Sequence, residues 1–325
     1  MTVSQENPPA GPMGSRRPPI SVVICTCDRP DDIGRAIESV LVQDYPMFEV
    51  VVVDQSHGAS TEVIVRQLAR TADRLRYIRL EDRGLSRAYN RGIAQANYEV
   101  VACTDDDCVA PPGWLDAVAR AFFEHGDVSL LYGQVLGPLE REAPRQGGVV
   151  PTLSIGQLQR LSRRDGFRVF GMGANFAARR SMIQRLGGFD EVLGGGGPLL
   201  SAQDFDLTYR VYHADGVILL DPRVVVHHYG FRTHSEWPAT IRSYGVGVGA
   251  FYLKHVRAGD PYATMLLVRL LASGAVRLAK RWLLRQPTGQ YRTYLGYLAV
   301  GMWRSRAYAV DRRRRLYRSP LGNPA

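Results

Sequence analysis

The chain has few cysteines for its length: four in 325 residues, at Cys25, Cys27, Cys103 and Cys108. They are too few and too early to staple an extracellular fold, and no signal peptide precedes them, so a reducing cytoplasm is expected. Their C-x-C and C-x₄-C spacings suit zinc poorly, which leaves them as small core residues at neighbouring strand ends. A Walker A sequence is absent, and no Gly-x-Gly-x-x-Gly follows the first apolar run. Neither an ATPase loop nor a dinucleotide fingerprint is supported, and any nucleotide has to be held by side chains and metal. There is no run of 18 uncharged apolar residues, which argues against a membrane-spanning helix. Acidic residues are scarce toward the C-terminus, where residues 231–325 hold 17 Lys and Arg against 3 Asp and Glu, while residues 1–230 hold 24 against 28. The formal charge of +10 therefore belongs to the C-terminal segment alone. A hydrophobic content of 45% is enough for one large core or two modest ones and excludes disordered or collagenous chains.

What is present centres on Val100-Val101-Ala102-Cys103-Thr104-Asp105-Asp106-Asp107. A run long enough for one buried strand stops at three consecutive carboxylates, which cannot share a core without a countercharge. A hard divalent ion that carries a diphosphate satisfies them; a solvated acidic turn before Pro111-Pro112-Gly113 is the alternative. Upstream, Ile20 to Cys25 has the β-branched density of a buried parallel strand, and Asp31 or Asp32 is placed to cap a helix through Ile33, Ile37, Val40 and Leu41. Glu49 to Val53 is a second strand ending at Asp54, Val63, Ile64 and Leu68 mark a helix, and Arg76 to Leu80 is a third strand. A helix from about Leu85 leads to the strand before the triplet. This alternation predicts an α/β fold with a parallel sheet flanked by helices, whose strand ends deliver Thr26, Asp28, Asp54 and Asp105 to Asp107 to one edge.

Six segments, in order, resemble the family 2 glycosyltransferases: Val22 to Pro30, Glu49 to Asp54, Gly84 to Gly92, Asp105 to Asp107, Gly187 to Glu191, and Gln203 to Leu207. The resemblance covers about residues 20–230 and implies a GT-A fold, Rossmann-like and mostly parallel, with a C-terminal helical extension. It implies inverting transfer of a hexosyl or deoxyhexosyl group from a nucleotide-sugar donor, with Mn²⁺ or Mg²⁺, to a glycan or lipid-linked acceptor in cell-envelope or exopolysaccharide synthesis. Carried over position by position, Thr26, Asp28 and Asp54 would hold base and ribose, while Arg83 and Asn90 approach base or diphosphate. Asp105 and Asp106 would face ribose and sugar, and Asp107, in the place of the family's DXD motif, would bind the metal. Asp204 would be the catalytic base, with Asp206 bracing its helix. Gln203 stands where members usually carry Glu. Related enzymes often place a histidine ligand near His227-His228, and since neighbouring strand residues point to opposite faces only one of the two can join Asp107; His227 is preferred.

Bounded this way, residues 1–18 form a flexible leader, 19–235 the transferase domain with nucleotide-sugar and acceptor halves meeting at 110/111, and 236–325 a basic amphipathic helical region. Residues 114–135 read as helix then strand, 138–170 as an irregular lid or acceptor-side loop, and Phe170 to Ala177 as the strand flooring the acceptor site. Gly194 to Pro198 reads as a mobile loop over the donor. Near the C-terminus, Arg269, Ser273, Arg277, Lys280, Arg281 and Arg285 share one helical sector opposite Leu266, Leu267, Leu270, Leu271, Val276 and Trp282. A helix of this kind suits an anionic membrane surface, on the inner face of the cell membrane. A catalytically silent nucleotide-sugar scaffold and a nucleic-acid binder are the competing classes; the second lacks a binding motif, so no nucleic-acid partner is expected.

Overall fold

A computed structural model describes residues 17–139, 148–168 and 171–318. The expected leader falls almost wholly outside them. The first half alternates as its apolar pattern predicts: β1 (Ile20–Thr26), α1 (Pro30–Leu41), β2 (Phe48–Asp54), α2 (Ser60–Ala69), β3 (Leu75–Arg79), α3 (Leu85–Gln95) and β4 (Val100–Asp105). There follow β5 (Cys108–Val109), α4 (Trp114–Glu124), β6 (Val128–Leu136), β7 (Gln159–Leu161), β8 (Asn175–Arg179), α5 (Arg180–Arg185), α6 (Gln203–His213) and β9 (Val217–His228). Among the described residues the main sheet runs β3-β2-β1-β4-β8-β6-β9-β5, with β7 paired to β9. Strands β1 to β4 are parallel, whereas β8 is antiparallel to both β4 and β6. Every residue of β1 and β2 is buried, as a sheet covered on both faces requires. Register then fixes the site, because Thr26 lies beside Asp54 and Cys25 beside Asp105, so the polar strand ends fall in one row.

Several local expectations are corrected. Helix α1 starts at Pro30 behind Arg29, with no side-chain cap; Asp31 and Asp32 sit in its first turn, where they face the helix dipole instead of capping it. The region expected to be irregular contributes the short edge strand β7, and residues 140–147 within it lie outside the description. The acceptor-side strand starts at Asn175, not Phe170; Gly171 to Gly173 form the loop before it, and Phe170 is outside the described residues. Strand β9 runs unbroken through Pro222, because a register shift against β6 at Gly133/Gln134 accommodates the missing N–H. The cysteines are free, and Cys25, Cys103 and Cys108 are buried small residues, as their spacing suggested.

Three helices and a hairpin complete the chain: α7 (Trp237–Arg257), α8 (Pro261–Leu283), α9 (Gly289–Ser305), β10 (Val310–Asp311) and β11 (Leu316–Tyr317). Helices α7 and α9 touch backbone to backbone: a Cβ added at Gly249 would lie 2.0 Å from the Leu298 carbonyl oxygen, and one at Gly301 2.0 Å from that of Val246. Helix α8 is, by length and composition, long and apolar enough to cross a membrane, contrary to the expectation from uninterrupted apolar runs. Only Ala263, Leu267 and Gly274 of α8 are buried, while Val276, Trp282 and Leu283 are at least two-thirds exposed. The expected basic residues Arg269, Arg277, Lys280 and Arg281 are exposed on the same helix.

A buried ion network ties these helices to the sheet. Lys254 of α7, fully buried, donates to Asp190 at 2.6 Å and lies 2.6 Å from Asp206, which also pairs with Arg210 at 2.8 Å and meets His255 at 3.0 Å. The backbone N–H of Tyr317 in β11 donates to the same Asp190 carboxylate at 2.9 Å. Burial works against ionising Asp206, but Lys254 and Arg210 outweigh it and hold the carboxyl well below the usual range.

Candidate active site

At the carboxyl end of β1, the Thr26 hydroxyl donates to Asp106 at 2.7 Å. The chain turns at Asp28 with φ of 57°, and this carboxylate accepts from the His57 N–H at 2.8 Å and from the Arg83 guanidinium. The His57 N–H, helped by Arg83, keeps the Asp28 carboxyl below its ordinary range. Asp28 and Arg83 remain about 44% and 43% exposed, so both are open to a ligand.

Asp54 and Asn90 both have partners within the protein. Asp54 is fully buried and both its oxygens are engaged, one by the Ser56 N–H at 2.8 Å and the other by the Tyr77 hydroxyl at 2.8 Å and Arg79 at 3.3 Å. These bonds brace the loop after β2. The Asn90 side chain accepts from the Phe189 N–H at 2.7 Å and donates to the Phe189 carbonyl at 3.0 Å and Glu191 at 3.2 Å. It locks the turn after Gly187-Gly188 onto α3. The glycine run is likewise docked: the Leu85 N–H donates to Gly195 at 2.8 Å and the Ser86 hydroxyl to Leu193 at 2.7 Å.

The acidic triplet already has a cation. Arg29, to which the sequence assigned no role, lies with Nη1 3.0 Å from Asp106 and 2.5 Å from Asp107. Its only signal was its position between the first strand and Pro30. Burial, reinforced by the charges of Asp107 and Asp106, pushes the Asp105 carboxyl up to about 7. Burial also raises Asp106 to about 6, with Arg29 opposing it. For Asp107 burial is outweighed by His228 and Arg29, and its carboxyl falls to about 2.

The histidine preference is reversed. His228 is buried with Nε2 3.2 Å from Asp107 Oδ1, whereas His227 faces the other way and its Nδ1 lies 2.9 Å from the Gly137 carbonyl. The reason is register: β9 pairs His228 with Cys108, next to Asp107, and the alternation of the strand turns His227 outward. Asp107 Oδ1 is buried without a hydrogen bond of good geometry. Asp107, Cys108 and His228 each offer one ligand atom, and these atoms lie within 4.8 Å of one another. A carboxylate and an imidazole suit Mn²⁺ or Mg²⁺ better than the thiol does, and burial raises the Cys108 thiol well above its usual value, keeping it protonated.

Asp204 lies in the first turn of α6, behind Ala202 in a left-handed conformation with φ of 69°. Its oxygens accept from the Phe205 N–H at 2.8 Å and the Gly173 N–H at 3.0 Å. Burial raises its pKa, and these two N–H groups oppose the shift. Asp204 and Asp105 line one cavity of ≈ 450 Å³, with Tyr89 and Gln203 also in its wall. Tyr89 reaches Asp105 at 3.3 Å. Asp190 and Asp206 are fully buried against Lys254 and face no such space.

Residues 21–187 match the family model described as glycosyl transferase family 2. The chain belongs to that family. A glucosyl-dolichyl phosphate glucuronosyltransferase of Haloferax volcanii is 24% identical to this family 2 glycosyltransferase over 225 residues, 67% of the chain and 72% of the relative. A pre-mycofactocin glycosyltransferase of Mycobacterium tuberculosis is 26% identical over 261 residues, 78% of the chain, which spans about half (51%) of that relative. Among solved structures, a mannosyltransferase of Pyrobaculum calidifontis in complex with GDP-Man and Mn²⁺ superposes with a TM-score of 0.59 at 20% identity, over 89% of the chain and 88% of the neighbour. TarS of S. aureus in complex with UDP-GlcNAc superposes at 0.54 and 20% identity, over 71% and 66%. These likenesses establish the GT-A fold for this family 2 glycosyltransferase.

Proposed function

We propose that this enzyme is an inverting glycosyltransferase that moves a hexosyl or deoxyhexosyl group from a nucleotide-diphosphate donor to a glycan or lipid-linked acceptor in cell-envelope or exopolysaccharide synthesis. The observation that carries the reading is the shared cavity of Asp105, at the donor-side strand ends, and Asp204, a half-buried carboxylate of raised pKa. The acceptor oxygen bonds to the anomeric carbon, the bond from that carbon to the diphosphate oxygen breaks on the opposite side, and the acceptor proton passes to Asp204. A raised pKa suits that base, since the proton is then accepted closer to neutrality. Thr26, Asp28, Arg83, Asp105 and Asp106 are the donor-side groups. Asp107 and His228 are the candidate holders of Mn²⁺ or Mg²⁺, which when bound supplies charge neutralisation for the diphosphate. Residues 19–235 are taken as the transferase domain and 236–325 as the basic region. The exposed apolar and basic residues of α8 support attachment to the inner face of the membrane.

Incubating the purified protein with a panel of nucleotide-sugars and Mn²⁺ tests the reading. At least one donor is expected to be consumed, and Asp204→Asn is expected to slow its turnover by about 10²-fold or more while leaving donor affinity near that of the wild type. Consumption of no donor, or an unaffected Asp204→Asn enzyme, would overturn it.

A further inference from the structure

The matched family segment ends at residue 187, yet much of the lining of the cavity that holds Asp105 comes from later in the chain. Tyr244, Val248 and Tyr252 of α7, Leu270 of α8 and Tyr294 of α9 form a wall of it. Three different helices thus converge on one apolar and aromatic surface, with Asp204 at its polar end. These five side chains present mostly ring faces and methyl groups, with the three tyrosine hydroxyls as their polar groups, so the wall selects chiefly by apolar area.

The wall opens onto α8, where Leu270 is half-buried and its neighbours Val268 and Leu271 are 59% and 44% exposed. Exposed apolar side chains continue along α8 through Val276 and Trp282. Between Asp260 and Asp311 the chain has no acidic residue. An apolar track leading out of the cavity, on a helix that carries basic and no acidic groups, matches an amphipathic molecule drawn from an anionic lipid surface.

Building on the transferase reading, we infer that this wall is the acceptor subsite and that the acceptor is a lipid: a hydroxyl-bearing head on an apolar chain, its head beside Asp204 and its chain against Leu270 and out along α8. A soluble oligosaccharide stacks on the tyrosine rings but leaves Val248, Leu270 and the exposed apolar side chains of α8 without a partner. The chain is either isoprenoid or acyl; both present the same apolar chemistry to these five residues.

Calorimetry with the full chain tests this with three probes that share one head: geranyl β-glucoside, octyl β-glucoside and free glucose, the first two below their micelle concentrations. At least one glucoside is expected to bind tenfold or more tighter than glucose, and the order of the two distinguishes isoprenoid from acyl recognition. Leu270→Glu, and independently the cavity-filling Val248→Trp, are expected to remove that preference, while Phe123→Ser, an exposed apolar residue of α4 outside the cavity and the track, keeps it. Mn²⁺-dependent binding of UDP or GDP reports that each variant is folded. Glucose binding as tightly as both glucosides overturns the inference, as does a preference that survives Leu270→Glu and Val248→Trp in variants that still bind nucleotide. Failure of the wild type to bind or consume any nucleotide donor strikes the transferase reading instead, and leaves the glucoside preference to be judged by itself.

Discussion

Arg29 occupies the position that a divalent ion would neutralise, and this gives a prediction of opposite sign for the two states of the site. In the metal-free protein its guanidinium lies 2.5 and 3.0 Å from the Asp107 and Asp106 carboxylates and is about a third exposed. At an effective dielectric of about 20, a unit pair roughly 3 Å apart is worth ~5 kcal/mol. Solvent screening of an exposed partner cuts this severalfold, to about 1–3 kcal/mol. Arg29→Gln should therefore destabilise the metal-free protein by that amount, a fall of about 2–5 °C in melting temperature. With Mn²⁺ present the sign reverses, because the ion no longer competes with a neighbouring cation, and affinity for it should rise by about 5- to 150-fold, the factor corresponding to ~1–3 kcal/mol. Melting curves and calorimetry across an Mn²⁺ titration, without nucleotide, measure both effects. Equal or weaker Mn²⁺ binding by Arg29→Gln would refute the reasoning and make Arg29 a supporting part of the site.

Because the folded pKa of Asp204 is raised, the acidic limb of the pH–rate profile should lie above the ordinary Asp value of about 3.9, and Gln203→Glu should move it further up by like-charge repulsion, read from initial rates between pH 4 and 8. Gly249→Ala drives a methyl into the Leu298 carbonyl and is expected to cost about 1–3 kcal/mol in urea unfolding. Lys254→Met leaves Asp190 and Asp206 buried around a lost charge and should cost about 3–5 kcal/mol, the largest single loss in this set. The Asp206 contribution has the sign of a depressed carboxyl: present above the unfolded pKa near 4, lost as pH falls below it, so wild type and Lys254→Met should converge in stability toward acid. Replacing Trp282, Leu283 and Trp303 together by Ser should abolish co-sedimentation with anionic vesicles without changing the melting temperature, since all three are at least two-thirds exposed.

The first half of the fold was legible because its strands are nearly continuous β-branched runs ending in polar residues, a pattern that only a sheet covered on both faces produces. The edge holding Thr26, Asp28 and the triplet followed from those endings. Three things were not legible. Asp54 and Asn90 carry residue types that bind ligands and brace loops equally well, and their contacts with Tyr77, Arg79 and Phe189 come from segments distant in sequence. The choice between His227 and His228 depends on a one-residue register in β9, which apolar alternation across Val224 to Val226 does not resolve. The role of Lys254 was invisible because its partners lie 64 and 48 residues upstream, in segments read for other purposes.

That same lysine orders events during synthesis. Asp190 and Asp206 leave the ribosome well before it, and at about 5–20 residues per second the nascent chain carries the Asp190 carboxylate without its cation for roughly 3–13 s. A further stretch must be translated before Tyr317 supplies its N–H. Until then Asp206 of α6 has only Arg210 as a charged partner, and the apolar surface meant for α7 is open to chaperones or to other nascent chains. A ribosome that stalls between Asp206 and Lys254 would present the whole matched family segment without the cation its core requires, so interrupted synthesis should yield degraded fragments and no partially active enzyme.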